Sequence, residues 1–137
     1  MESMTSVQHD LIEDFLSLGD GFGQYSYLIE LSARLPHMSD ELKKKSDLVD
    51  GCQSSVWMRI TKDDVGRIHI MADSDAFIIR GVLYAICLIY ENRNASEICA
   101  CSFDLINRTA LNDVFSDSRR NGIGIVVDLI RKTAQGE

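Results

Sequence analysis

The residues of this chain best suited to chemistry are its four cysteines, at positions 52, 87, 99 and 101. Cys52 stands in the segment "VDGCQSSVW", directly after Gly51 and before Gln53 and Ser54. Glycine frees the backbone for an exposed loop, and the polar side chains that follow can bond to the loop or to a sulfur anion. Two nearby aspartates oppose ionisation, so an activating cation must come from elsewhere. The segment indicates either a reactive thiol on a loop or an inert buried cysteine.

The other cysteines and the serines form less specific patterns. Cys99 and Cys101 make an isolated Cys-X-Cys pair, a weak match to the spacing of zinc sites. Cys87 lies in an apolar run and is expected in the core. No serine has the histidine and acidic partners of a nucleophile elbow, and "GDGFG" follows a helix rather than a strand. We therefore expect no metal site, no hydrolase chemistry and no phosphate loop.

Two further residues could assist a reactive Cys52. Trp57 ordinarily packs in a core, and the alternative is that it walls a pocket for the thiol. Arg119 stands near the start of the last predicted helix, where the helix dipole disfavours a cation. A solvated charge is the simpler interpretation of Arg119. The alternative is a guanidinium that turns inward and fixes the cysteine loop or an anionic sulfur.

Length and charge limit the class of protein. A chain of 137 residues suits one domain, and we treat residues 1–137 as a single unit. The net charge of −7 argues against nucleic acid or an anionic membrane as the partner and permits docking on a basic patch. No secretory signal is visible, and the apolar stretch 76–90 is too short to cross a bilayer. We expect a cytoplasmic, thiol-reducing setting without a disulfide framework.

The spacing of apolar residues predicts the elements that position these groups. Helical spacing predicts helices over about 6–18, 22–34, 75–91 and 117–133, a helical turn at 40–46 and shorter helical pieces in 95–108. Alternation predicts a hairpin of strands at 55–61 and 67–72, in which Val56, Met58 and Ile60 share one face and one face of the hairpin is buried. A short strand is predicted at 47–50. This order predicts an α+β fold, with a small antiparallel sheet of about three strands packed against helices on one face.

Local expectations describe how the helices are placed. The predicted inward residues are Leu11, Ile12, Phe15 and Leu16 of the first helix and Phe22, Tyr25, Leu28, Ile29 and Leu35 of the second. Ser74 is expected to cap the helix 75–91, with Asp75 in its first turn. That helix is apolar nearly all round, which predicts the central buried helix of the fold.

Four segments occur in an order and spacing that closely resemble one family. They are "YSYLIELSARLP", "VDGCQSSVW", "GRIHIMADSDAFIIRGVLYAI" and "SDSRRNG". Together they resemble the SufE family of sulfur acceptor proteins, which includes CsdE, over about residues 8–133. The resemblance implies the fold of IscU-type scaffolds and a site with Cys52 as persulfide carrier and Arg119 in support. It also implies loop or binding roles for Gly51, Gln53, Ser54, Trp57, Asp73 and Asp75.

The function implied by the resemblance is sulfur transfer in iron–sulfur cluster assembly. A SufS-like or CsdA-like cysteine desulfurase would pass sulfane sulfur to Cys52 and be stimulated by this chain. Cys52 would then deliver the sulfur to a SufB-containing scaffold complex. Pyridoxal phosphate belongs to the desulfurase, so we expect no cofactor and no independent turnover here. We expect a monomer or weak homodimer, with the Cys52 side chain resting against an apolar pocket and swinging out on docking.

The chain departs from the family pattern at two places, and two alternative functions stay open. Many family members have proline where this chain has Asp117, and another pattern where it has "GFGQ", which leaves the choice of desulfurase undecided. One alternative is an IscU-type cluster scaffold, although Cys87, Cys99 and Cys101 lie on elements that do not match its ligand pattern. The other is an interaction domain whose thiol is irrelevant. The sequence assigns no role to Cys99 or Cys101.

Overall fold

The fold is α+β, as predicted, with a three-stranded antiparallel sheet and helices packed on one of its faces. The computed structural model describes residues 2–45, 47–49 and 54–136. Its helices are α1 (Met4–Leu16), α2 (Gly21–Ser32), α3 (Asp40–Lys45), α4 (Phe77–Tyr90), α5 (Ala95–Ala100), α6 (Leu111–Val114) and α7 (Asp117–Ala134). Its strands are β1 (Asp47–Leu48), β2 (Val56–Lys62) and β3 (Ile68–Ser74), in the order β1-β2-β3.

The β2–β3 hairpin sorts its side chains as the alternation predicts. Met58 pairs with Ala72, and both are buried on the face that the helices cover. Arg59 pairs with Met71, and both are exposed on the opposite face. Gly66 has a φ of +84° in the turn, a conformation that strains other residues. The hairpin therefore has one core face and one outer face.

Helix α4 is the centre of the fold, and most of its residues are buried. It crosses α2 at Gly81, where an added Cβ would stand 2.2 Å from the backbone oxygen of Leu28. Only glycine permits so close an approach. On another side α4 faces α7, whose Ile123, Val126 and Ile130 are buried. The sheet, α4 and α7 thus enclose the region beneath β2.

The apolar faces of the first two helices differ from the prediction in four residues. In α2 the prediction was wrong for Phe22, Tyr25 and Ile29, which are exposed. In α1 it was wrong for Leu16, which is also exposed. Leu28 and Leu35 are buried as expected, and they are joined by Leu31. The closest approach of α4 at Leu28 selects the buried stripe of α2, so the residues on the other side face outward.

The junction between β3 and α4 also differs from the prediction. Ser74 is not the cap of α4, because β3 continues to Ser74, which pairs with Val56. Helix α4 begins at Phe77, so Asp75 lies in the connection and not in the first helical turn. The Ser74 hydroxyl donates to the carbonyl of Ser55 at 2.7 Å and accepts from the amide of Ala76 at 3.2 Å. Pairing with β2 outweighs the local capping preference here.

Candidate functional site

The segment that carries Cys52 joins the adjacent ends of β1 and β2. Gly51, Cys52 and Gln53 lie outside the described residues, so the site is built from its flanks. On one side, the Val49 amide donates to the Val56 carbonyl at 2.8 Å, and Val49 is buried. On the other side, the described chain resumes at Ser54, which is half-buried. The chain therefore leaves and re-enters the described fold at one end of the sheet.

The flank after Cys52 is held by the β3–α4 junction. The Ser55 amide donates to Asp75 Oδ1 at 3.1 Å, and the Asp75 amide donates to the Ser55 carbonyl at 3.3 Å. The same carbonyl accepts from the Ser74 hydroxyl at 2.7 Å. Three hydrogen bonds thus fix the backbone of Ser55 to Ser74 and Asp75. Asp75, predicted as a loop or binding residue, lies at that place as an anchor of the Ser55 backbone.

Asp73 is a buried anion that ties together segments distant in sequence. Its carboxylate accepts from the Met38 amide at 2.9 Å and the Ser74 amide at 2.8 Å, and it forms an ion pair with Arg80. Burial alone would raise the pKa of Asp73, but the two amides and the Arg80 charge outweigh it and hold the pKa below its usual value. Asp73 therefore stays ionised and fixes the chain near Met38 against the end of β3.

Sequence reasoning missed the partner of Asp73, although a signal for it exists. Arg80 is a single charged residue in an otherwise apolar helix, and its side chain is 4% exposed. Besides Asp73, its guanidinium donates to the carbonyls of Ser32, at 3.1 Å, and Leu35. A lone charge in a buried helix requires a buried partner, so Arg80 itself pointed to an ion pair.

A small apolar cavity lies beneath the start of β2, next to the described end of the cysteine segment. Its volume is about 20 Å³, enough for one atom the size of a water oxygen. Ser54 and Arg119 contribute to its wall. The apolar lining comes from Val56 of β2, Ile79, Val82, Leu83 and Ile86 of α4, and Ile123 and Val126 of α7. The cavity is therefore a small apolar recess with one cation in its wall.

Arg119 reaches this cavity from the first turn of α7. Its amide donates to the Ser116 hydroxyl at 3.2 Å, which caps the helix. Its Nη1 is buried and has no hydrogen-bond partner among the described residues. The neighbouring Arg120, in contrast, donates to the carbonyls of Asn112 and Phe115. Of the two arginines, only Arg119 lines the cavity and has a buried donor that no described residue satisfies, and such a donor is destabilising unless an acceptor meets it.

Trp57 lies on the outer face of the sheet and is not among the residues that line the cavity. Lys43 Nζ stands 4.3 Å from the centroid of its ring, a cation–π contact. The same ammonium is 3.9 Å from Asp73 Oδ2. Of the predicted site residues, Ser54 and Arg119 thus share the cavity, whereas Trp57, Asp73 and Asp75 hold the surrounding frame.

The described cysteines differ in their suitability as nucleophiles. Burial in α4 raises the pKa of Cys87 to about 12, with a smaller contribution from the charge of Glu91, so this thiol stays protonated. Cys101 is buried and accepts a weak hydrogen bond from Gln8 Nε2 at 3.8 Å. Cys99 is exposed on α5 and contacts Gln135 Nε2 at 2.9 Å. No three His, Cys, Asp or Glu side chains converge as a metal site in the described part of the chain.

One histidine forms an ion-pair cluster away from the cavity. His69 Nε2 lies 2.8 Å from Asp63 Oδ2, and its Nδ1 lies 2.6 Å from Glu91 Oε2. Hydrogen bonds to Asp63 and then to Glu91 raise the pKa of His69, and the same contact lowers the pKa of Asp63. Glu91 Oε1 also accepts from the Ile70 amide at 2.8 Å. The cluster fastens the start of β3 to the end of α4.

Comparisons with known proteins identify a family from sequence and a similar fold among solved structures. The family model described as SufE, Fe-S metabolism associated domain, matches residues 9–134. An uncharacterised SufE-like protein of Rhizobium etli is 34% identical over 129 residues, which cover 91% of this chain and 87% of the relative. In fold, the chain is similar to the solution structure of a hypothetical protein from Thermus thermophilus. That likeness has a TM-score of 0.76 at 13% identity and covers 95% and 94% of the two chains.

Among the described residues, no helix is both long enough and apolar enough to cross a bilayer. The match of the family model to nearly the whole chain and the identity to the Rhizobium relative confirm the resemblance of the four sequence segments. The chain belongs to the SufE family, whose domain is associated with iron–sulfur metabolism.

Proposed function

We propose that this chain is a covalent sulfur carrier and that Cys52 is its acceptor. The donor is the cysteine persulfide of a pyridoxal phosphate-dependent desulfurase of the SufS or CsdA type. The Cys52 thiolate attacks the outer sulfur of that persulfide, a new sulfur–sulfur bond forms on Cys52, and the donor cysteine leaves as a thiolate. Transfer to a SufB-containing scaffold repeats the same exchange, so the chain needs no redox reagent of its own.

The observation that carries this proposal is that Arg119 lines the apolar cavity and has a buried Nη1 with no hydrogen-bond partner among the described residues. A buried guanidinium without an acceptor favours an anion in its neighbourhood, and both a thiolate and a persulfide are anions at neutral pH. The cysteine segment resumes at Ser54, which lines the same cavity. The recess would keep water and small reductants away from the terminal sulfur, while Arg119 would stabilise its charge.

The remaining cysteines support Cys52 by their own placement. Cys87 is held protonated and Cys101 is buried, so neither offers an accessible thiolate. Cys99 is exposed, but in the described residues it stands beside Gln135 rather than a cation. These three thiols lie on or next to α4 and α5 and do not meet as the ligand set that an IscU-type scaffold needs. We therefore prefer a carrier to a cluster scaffold.

Peptide mapping by mass spectrometry tests this function. The protein is incubated with a cysteine desulfurase and free cysteine, without reductant, and alkylated before digestion. We expect the mass of one additional sulfur atom on the peptide that contains Cys52. Cys99→Ser serves as the matched control and should load like the wild type, whereas Cys52→Ser should not load. Sulfur on Cys99 alone, or on no cysteine, would refute the assignment.

A further inference from the structure

An exposed apolar stripe runs along the solvent side of α2. Phe22, Tyr25 and Ile29 recur at helical spacing, and Leu18 extends the stripe into the turn before the helix. We call these four residues the α2 stripe. Phe22 is 81% exposed, although apolar residues at this spacing ordinarily form the buried face of a helix. None of the four lines the cavity beside Arg119.

Helix α6 widens the apolar surface at the N-terminal end of the stripe. Val114 of α6 is exposed, and its Cγ2 would lie 2.8 Å from a Cβ added to Gly21. Beside the stripe, Ser26 and Ala33 are exposed and small, which allows a second helix to approach closely. Isolated exposed apolar residues are ordinary, but a contiguous set on one helix marks a surface that binds another molecule.

Carboxylates flank the α2 stripe. The Asp20 carboxylate accepts from the Gly23 amide at 2.9 Å and so lies at the N-terminus of α2. Glu30 is exposed on the same helix, and Asp113 is exposed on α6. In the described part of the chain, none of these three carboxylates forms an ion pair. Helix α2 has no lysine or arginine, and the first basic residue after it, Arg34, lies beyond its C-terminal end, so the flanks of the stripe are mainly negative.

We propose that the α2 stripe binds an amphipathic helix of a partner protein. The apolar face of that helix packs on the stripe, and its lysine or arginine residues meet the flanking carboxylates. From Phe22 to Ile29 is about 10 Å of helix, so about two turns of the partner cover the stripe. Partner residues at i, i+3, i+4 and i+7 match this length. Burial of apolar surface gives the affinity, and Asp20, Glu30 and Asp113 give the preference for a basic partner.

Two other occupants fit this surface less well. A second copy of the chain would bring the same carboxylates near one another across a two-fold contact, and each copy has a net charge of −7. The flanking carboxylates would also repel an anionic membrane. A basic amphipathic helix, in contrast, complements both the apolar and the charged parts of the surface.

A pair of helical peptides provides the probe. The basic peptide has leucine along one face, lysine at the flanking positions and alanine elsewhere, and the acidic peptide has glutamate in place of lysine. Binding is followed in ¹H–¹⁵N spectra of the labelled protein at physiological ionic strength. We expect saturable shifts of the Phe22 and Ser26 amides with the basic peptide. The acidic peptide should bind at least tenfold more weakly, because its carboxylates face those of the protein.

Two variants of equal charge separate docking from general electrostatic attraction. Phe22→Glu and Val65→Glu each replace a largely exposed apolar residue by a carboxylate, one in the stripe and one on the hairpin turn. General attraction of the basic peptide would rise equally in both variants. We expect Phe22→Glu to weaken binding at least tenfold, whereas Val65→Glu should bind at least as tightly as the wild type.

Equal binding by the two variants overturns the proposal, and so does the absence of saturable shifts in α2 with the basic peptide. Equal binding of the acidic peptide overturns the preference for a basic partner. Shifts of the α2 amides that depend on protein concentration alone overturn the proposal in favour of a second copy as the occupant. Sulfur loading of Cys52 is measured without peptide, so this proposal and the sulfur-carrier proposal fail independently.

Discussion

Replacement of Arg119 by methionine should separate sulfur transfer from stability. Arg119 lines the apolar cavity, and its buried Nη1 has no partner in the part of the chain that the structure describes; methionine fills similar space without a polar group. A buried unsatisfied donor costs about 1–3 kcal/mol, so Arg119→Met should leave Tm equal or higher when it is made in Cys52→Ser, which has no thiolate to meet the guanidinium. An ordinary structural arginine would give the opposite result, because its loss removes bonds from the folded state.

The effect on transfer follows from the charge that Arg119 would stabilise. A hydrogen bond to a charged group contributes about 1.5–3 kcal/mol, which corresponds to a transfer rate about 10- to 100-fold lower in Arg119→Met. The assay is single-turnover transfer from a persulfidated desulfurase to excess carrier, with sulfur on Cys52 measured by mass spectrometry. The rate of Cys52 alkylation against pH gives the thiolate fraction independently, and it should fall at neutral pH in the variant.

Arg120→Met is the matched control. It removes donors to the carbonyls of Asn112 and Phe115 from the adjacent position of the same helix. It should lower the free energy of unfolding by about 1–3 kcal/mol and leave the transfer rate of the folded protein unchanged. Transfer and alkylation at wild-type rates in Arg119→Met would refute the role of Arg119, and so would an equal loss of transfer in both variants.

Three further predictions concern the frame of the site. Gly81→Ala should lower Tm steeply, because the added Cβ would stand 2.2 Å from a backbone oxygen of α2. Gly124→Ala is the control and should not lower Tm, since nothing lies within 4 Å of its added Cβ. Equal Tm values for the two variants would contradict the close packing of α4 on α2. Asp73→Asn should destabilise the protein by about 3 kcal/mol in urea, because Arg80 stays buried without its counter-charge. Since the folded pKa of Asp73 is low, its contribution is present above about pH 4 and lost as pH falls further, so the difference from wild type should shrink in acid. The pKa of His69 is raised in the folded protein, so the stabilisation by His69 is present below about pH 6.5 and is lost as pH rises through the folded pKa. The wild type should therefore have a higher Tm than His69→Gln near pH 6. A difference in Tm that stays constant up to about pH 9 would contradict this.

The sequence was most informative where one face of an element carries a clear period. The alternation of Val56, Met58 and Ile60 predicted the core face of the hairpin, because a strand has only two faces. The second helix was harder, since its apolar residues surround the helix. Phe22 and Leu28 are equally apolar in the sequence, and only the close approach of α4 determines that Leu28 is buried and Phe22 exposed.

In the candidate site, too, the sequence predicted which residues matter, and tertiary packing decides what they contact. The sequence singled out Arg119 and left its direction open. That Arg119 lines the cavity, and that its Nη1 meets no acceptor among the described residues, follow from tertiary packing. It placed Asp73 and Asp75 near the site without distinguishing a buried ion pair from a backbone anchor. Asp73 pairs with Arg80, and Asp75 accepts from the Ser55 amide. The spacing of these residues in the sequence does not identify either pair.

A chase of labelled sulfur tests most directly whether sulfur rests on Cys52 between two partners. The chain is loaded from a desulfurase with ³⁵S-cysteine, separated from the desulfurase, and mixed with a SufB-containing scaffold. We predict that the label leaves Cys52 and appears on the scaffold without further desulfurase. Label that stays on this chain, or that reaches the scaffold equally well when Cys52→Ser replaces the wild type throughout, would contradict the account.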